Sequence, residues 1–107
     1  MDERDLRRID PQDYPQELRQ TIYDVKKCLS LRKQVSKELE HAKTYRKRAL
    51  TNTLREADEV IKIGLEGIDK KKISKSDKER INIGVKIISA VVSGEIRRVE
   101  IKKEEGE

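Results

Sequence analysis

This sequence has no tryptophan and no phenylalanine, and only three tyrosines, one cysteine and one histidine. A single cysteine excludes an internal disulfide framework, and no Cys/His cluster exists to hold zinc. Proline (two) and glycine (five) are scarce. No apolar run approaches the roughly 20 residues needed to span a bilayer. The opening MDERDLRRID does not read as a signal peptide. A cytoplasmic protein is expected, nucleoid-associated if the source is prokaryotic. Apolar residues are 34% of 107. That supplies a small helical bundle but not a large buried catalytic cleft.

What is abundant is charge. Charged residues are 44% of the chain, with Lys+Arg 26 against Asp+Glu 21 and a formal net charge of +5. The net value is modest and the apolar residues are patterned, so most of the chain is read as folded. The Lys/Glu-rich usage leans toward a thermophile. The charge is also localised. Residues 26–48 hold nine Lys/Arg (Lys26, Lys27, Arg32, Lys33, Lys37, Lys43, Arg46, Lys47, Arg48) and two Glu (Glu38, Glu40), a net of +7. A second cluster runs through Lys70, Lys71, Lys72, Lys75, Lys78 and Arg80. Residues 1–17 and 49–69 are each net −3. The chain is a basic central segment between acidic ones.

Between Pro15 and Gly64 there is neither proline nor glycine, so that span is predicted to be helical almost throughout. Pro15 suits a first helical turn, with Asp13 and Glu17 at its positive end. Leu18, Ile22, Val25 and Leu29 form one apolar stripe. Cys28, Leu31, Val35, Leu39 and Ala42 form another, rotated by about −100°. At the change near Leu29–Leu31 the helix is either overwound or bends or breaks at Ser30, and a continuous or gently bent helix is the favoured reading. A stop is predicted at Thr51–Thr53, where Thr53 and Glu56 form a capping box. The second helix then carries Leu54, Ala57, Val60, Ile61, Leu65 and Ile68 and weakens at Gly64 and Gly67. IDKKKIS is read as a loop. Ser76 and Glu79 form a second capping box for a third helix, with Ile81, Val85, Ile88, Val91 and Val92 on one side and Ile83 and Ile87 on another. It is apolar nearly all round, and is predicted to be the most buried; a strand is the weaker reading. Gly94 ends it. EIRRVEIKK alternates like a short strand.

The expected fold is all-α, a three- to four-helix bundle with one long N-terminal helix and a short C-terminal extended tail. Its organisation is an N-terminal arm (1–13), a helical bundle domain (14–93) and an extended linker or tail (94–107).

Enzymatic motifs are absent: there is no G-x-x-x-x-G-K-[ST], G-x-G-x-x-G or H-E-x-x-H. Cys28 and His41 are about 20 Å apart along a continuous helix, and Cys28 is expected in the core and His41 on the surface. No catalytic residue, cofactor, metal or small-molecule substrate is expected. The strongest physical signal is the basic face. Lys26, Lys33, Lys37 and Arg48, with Lys43 and Lys47 at its margin, are spaced to follow a phosphate backbone. The candidate nucleic-acid residues are these six with Arg46, Lys70, Lys71 and Lys72. Tyr45 is the only aromatic nearby, which argues against base stacking. The plainer reading is a solvated charged face. The thin core leaves apolar residues for a partner chain, and Leu18, Ile22, Ile83 and Ile87 are the candidate subunit interface, with Ile9 beside them.

The order of these signals resembles the helical domain of a GINS subunit, of archaeal type. PQDYPQELRQTIYDV matches a Pro/acid/Tyr opening of a long helix, followed by KELEHAKTYRKRAL and LREADEVIKIGL with its Lys62–Ile63 pair. ISKSDKERINIGVKIISAVVSGEI then gives a capped loop with Lys78–Glu79 before an apolar helix. The resemblance covers residues about 10–95, and VEIKKEEGE would lead toward the family's small β-rich domain. It implies a non-catalytic scaffold subunit of an oligomeric DNA-replication complex that links the replicative helicase to a Cdc45/RecJ-like protein, with possible DNA contact. The competing expectation is a small basic helical protein that binds DNA or RNA directly, such as a CRISPR effector small subunit or a viral or archaeal DNA-binding protein.

Overall fold

The computed structural model describes residues 3–94, of which 88% are helical, and no strand occurs among them. The elements are α1 (Glu3–Arg8), a 3-10 turn (Pro11–Asp13), α2 (Gln16–His41), α3 (Thr44–Lys70) and α4 (Lys75–Ser93). The expected tail strand EIRRVEIKK lies outside the described residues.

Asp10 caps the 3-10 turn by accepting the Gln12 N–H at 2.9 Å. Pro15 then sits at the start of α2, and its carbonyl accepts the Leu18 N–H at 2.9 Å. α2 runs unbroken through Ser30. Both of its stripes are used, because α2 touches every other element of the fold. A helix with neighbours on several sides needs an apolar face wider than one stripe.

The first correction concerns where α2 ends. The chain reverses at Ala42 and Lys43, not at Thr51–Thr53, and α3 passes through TNT without interruption. Ala42 (φ −74°, ψ 145°) and Lys43 (φ −72°, ψ 159°) are extended, a conformation open to any residue. Thr53 does not cap a helix. Its hydroxyl donates to the Ala49 carbonyl at 2.7 Å, the back-bond of a threonine inside a helix. α3 also passes both Gly64 and Gly67 and ends in a Schellman motif. Lys71 is left-handed (φ 54°), the Lys71 N–H donates to the Ile68 carbonyl and the Lys72 N–H to the Gly67 carbonyl. Only Lys71–Ser74 of the expected loop lies between the helices. The N-cap of α4 is Ser74 rather than Ser76. Its hydroxyl accepts the Asp77 N–H at 3.1 Å. The preceding Ile73 packs against Gly67, which fixes the start two residues earlier. Gly94 ends α4 in the left-handed region (φ 89°), as expected.

α2 and α3 are antiparallel. Val25 lies against Gly64, the Cys28 thiol donates to the Ala57 carbonyl at 3.6 Å, and Arg32 pairs with Asp58 at 2.6 Å. α3 and α4 are antiparallel too: Gly67 near the end of α3 lies against Ile73 just before α4, and Arg46 near the start of α3 reaches the Val91 carbonyl in the last turn of α4. The core runs along this three-helix bundle, and Leu6 of α1 is fully buried against it, so the expected N-terminal arm is packed on the bundle. Overall the extents are 47 × 26 × 17 Å.

Two glycines set the helix spacing. A Cβ on Gly64 would overlap Val25 Cγ2, and one on Gly84 would overlap Val60 Cγ2. Gly64→Ala tests this, because two effects of known size oppose each other. Helix propensity favours alanine by up to about 1 kcal/mol, and overpacking costs about 1–3 kcal/mol. The expected net result is a loss of about 1 kcal/mol in urea unfolding. A gain in stability would show that the helices move apart freely.

Candidate functional site

The sequence places the basic residues on one continuous helical face, and the reversal at Ala42–Lys43 divides that face. Lys33 and Lys37 are exposed on α2. Lys43, Lys47 and Arg48 are exposed just past the reversal, on the other limb of the hairpin. Lys33 borders a recess with Arg7 and Lys26, whereas Lys37, Lys43, Lys47 and Arg48 share one end of the molecule with the exposed Glu38 and Glu40 and form a basic pole.

Two further candidates do not belong to it. Lys26 is half-buried, and its ammonium donates at 2.5 Å to the Ile9 carbonyl just beyond α1. Arg46 is only 6% exposed. Its guanidinium donates from Nε to Glu38 Oε1 (3.1 Å) and from Nη2 to the Val91 carbonyl (2.9 Å), and Nη2 lies 3.0 Å from Glu38 Oε1. Nη1 is buried without a partner among the described residues. The expectation of Arg46 as a nucleic-acid contact is therefore corrected: it is committed to the interior, where it binds the last turn of α4, whose negative dipole end favours a cation.

Lys70, Lys71 and Lys72 are exposed, but about 33 Å of α3 separates Lys70 from Arg48. Lys71 lines a recess of about 390 Å³ with Asp5, Asp10 and Asp13. The acidic N-terminal segment thus lies beside this distal cluster, and the hairpin pole keeps its excess. Arg80 is withdrawn from the second cluster by Glu56, to which it donates two hydrogen bonds, one from Nη2 to Oε2 at 3.0 Å. The Glu56 carboxylate raises the guanidinium pKa further.

The candidate interface residues also separate. Leu18 (1% exposed) and Ile22 (0%) complete the core of this chain, so their surface is already covered. This corrects the expectation that they face a partner. Ile83 (55%) and Ile87 (40%) are exposed on adjacent turns of α4. They are the only exposed large aliphatic residues among those described, and α4 is accordingly not buried all round. Ile83 borders a groove of about 340 Å³ between α2 and α4, lined by Gln20, Thr21, Asp24, Lys78, Glu79 and Asn82. The offset of Ile83 and Ile87 from the main stripe was the sequence signal for this ridge. Nothing local marked Arg46 as internal.

Cys28 is fully buried between α2 and α3 and His41 is exposed at the end of α2, so thiol and imidazole are separated along one helix. Among the described residues no group of three or more His, Cys, Asp and Glu is placed to hold a metal ion. No helix among them is long and apolar enough to cross a membrane. No known protein family, characterised protein or solved structure matches this chain.

Burial pushes the Cys28 thiol from 9.0 up to about 12, aided by the nearby Glu56 and Asp58 carboxylates and opposed by Arg32. A thiol held protonated in the fold but ionised in the unfolded chain costs stability as pH rises above 9.0, and the loss levels off near 12. Urea unfolding between those values is expected to show this alkaline decline, and Cys28→Ala to reduce it. Equal declines in both proteins would show that Cys28 ionises as easily folded as unfolded.

Proposed function

We propose that this protein is a non-catalytic assembly module that meets a protein partner through α4. The observation that carries this reading is the Ile83–Ile87 ridge. Two β-branched aliphatic side chains stand on adjacent turns of a well-packed helix, while the other large aliphatics among the described residues are buried or half-buried. Covering them removes apolar surface from water at about 25 cal/mol per Å². In its finer form the proposal is a cytoplasmic, GINS-like subunit of a DNA-replication complex, linking a replicative helicase and a Cdc45/RecJ-like protein. That form rests on the sequence resemblance over residues about 10–95.

The test is a photo-crosslinking amino acid placed at position 83 and, as a control, at the exposed Glu66 of α3. The protein is expressed in its own cells. A discrete protein adduct is expected from position 83 and not from position 66. No adduct at position 83, or equal adducts at both, would remove the proposal.

The hairpin pole favours a second reading, direct contact with DNA or RNA. Lys37, Lys43, Lys47 and Arg48 are exposed at one end, where they outnumber the exposed Glu38 and Glu40, and neutralised phosphates would give salt-dependent affinity. Reversing Lys37, Lys43, Lys47 and Arg48 to Glu is expected to abolish retention on immobilised duplex while leaving stability near wild type. Arg46→Lys is expected to do the opposite: lose about 2 kcal/mol, because a lysine lacks the fork that reaches both partners, and keep the salt slope. Unchanged retention by the reversed variant would reduce the pole to a solvated surface.

A further inference from the structure

We propose that the occupant of the α4 ridge is a second copy of this chain, in an antiparallel two-fold pairing centred at the level of Gly84. The proposal rests on the assembly reading above and identifies its partner.

The argument comes from charge on one flank of the ridge. At about 100° per residue, Glu79 and Lys86 are two turns apart and lie within about 20° of each other on α4. Ile83 stands between them in height, and Ile87 is offset by about 40° from Ile83 toward the other flank. Glu79 and Lys86 are both exposed, and neither has an ion-pair partner within the chain among the described residues.

A two-fold axis perpendicular to α4 reverses helix direction and keeps each flank on its own side. Glu79 of one copy then faces Lys86 of the other, and the pair occurs twice. Centred near Gly84, the pairing places Ile83 within about 3 Å, along the axis, of both Ile83 and Ile87 of the second copy. It places Glu79 about 4.5 Å along the axis from the facing Lys86, within reach of a lysine side chain. A parallel two-fold pairing would instead put the Glu79–Lys86 flanks of the two copies on opposite sides of the contact, where they could not pair. The ridge is thus self-complementary in the antiparallel sense, as an isologous contact requires.

The contact is small. α4 is about 28 Å long, and a strip one helix wide falls below the roughly 800 Å² per partner of a standard interface. The dimer is therefore concentration-dependent rather than permanent.

Sedimentation equilibrium of the whole protein up to about 1 mM at low salt tests this. Wild type is expected to fit a monomer–dimer equilibrium. Glu79→Lys and Lys86→Glu should each raise the dissociation constant about tenfold, and Ile83→Ser should abolish the dimer. The double variant Glu79→Lys/Lys86→Glu restores opposite charges across the axis and should return to within about threefold of wild type. Unchanged circular dichroism shows that each variant folds. A wild-type monomer throughout, or a double variant at least as weak as either single one, overturns the proposal. The position-83 crosslink separates this from the assembly reading. An adduct of about 25 kDa, twice the 12.5 kDa chain, supports the second copy. A protein adduct of another mass overturns it and leaves the assembly reading standing, and no adduct overturns both.

Discussion

The rest of the fold depends on Arg46. Glu38 and Arg46 are eight residues apart, a separation of about 12 Å along an unbroken helix. They meet at 3.0 Å because the chain folds back between them. The same guanidinium binds the Val91 carbonyl, so one side chain on α3 joins α2 and α4 at the closed end of the bundle. Glu38 remains 42% exposed, which limits the strength of the ion pair itself. The cost of exchange lies in the buried guanidinium, since removing Glu38 would leave it short of an acceptor.

With that end fixed, the glycine contacts decide how close the helices lie. Gly64 receives Val25 and Gly84 receives Val60, one contact on each side of α3. The result is a flat molecule, 17 Å in its thinnest direction. Three long helices and one short one leave the outer side of α4 uncovered, and Ile83 and Ile87 stand there. The exposed ridge follows from having too few helices to close a fourth side, and is not a packing fault within the core.

Much of the helical content was legible in the sequence. The all-helical class, the continuity of α2 through Ser30, the stop at Gly94 and the burial of Cys28 all followed from apolar spacing and the placement of glycine. The reversal was not, because Ala42 and Lys43 take extended dihedrals that need no proline or glycine. Thr53 misled because a threonine hydroxyl satisfied by its own helix has the same local sequence as a cap. Ser74 and Ser76 were equivalent on spacing alone, and the anchoring of Ile73 distinguishes them. The candidate site was legible in part. Net charge counted along residues 26–48 correctly marked a basic region, but counting along the chain could not divide the hairpin pole from Lys26 and Arg46, whose charges are used internally.

The placement of the charge has a consequence for how the molecule meets other bodies. The basic pole is at the tip of a 47 Å rod, and the α4 ridge runs along its side. A polyanion would draw the rod in tip first, its long axis turned toward the charged surface. The flank would stay clear of that surface. Tip and flank are then addressed along perpendicular directions, and occupying one does not obstruct the other.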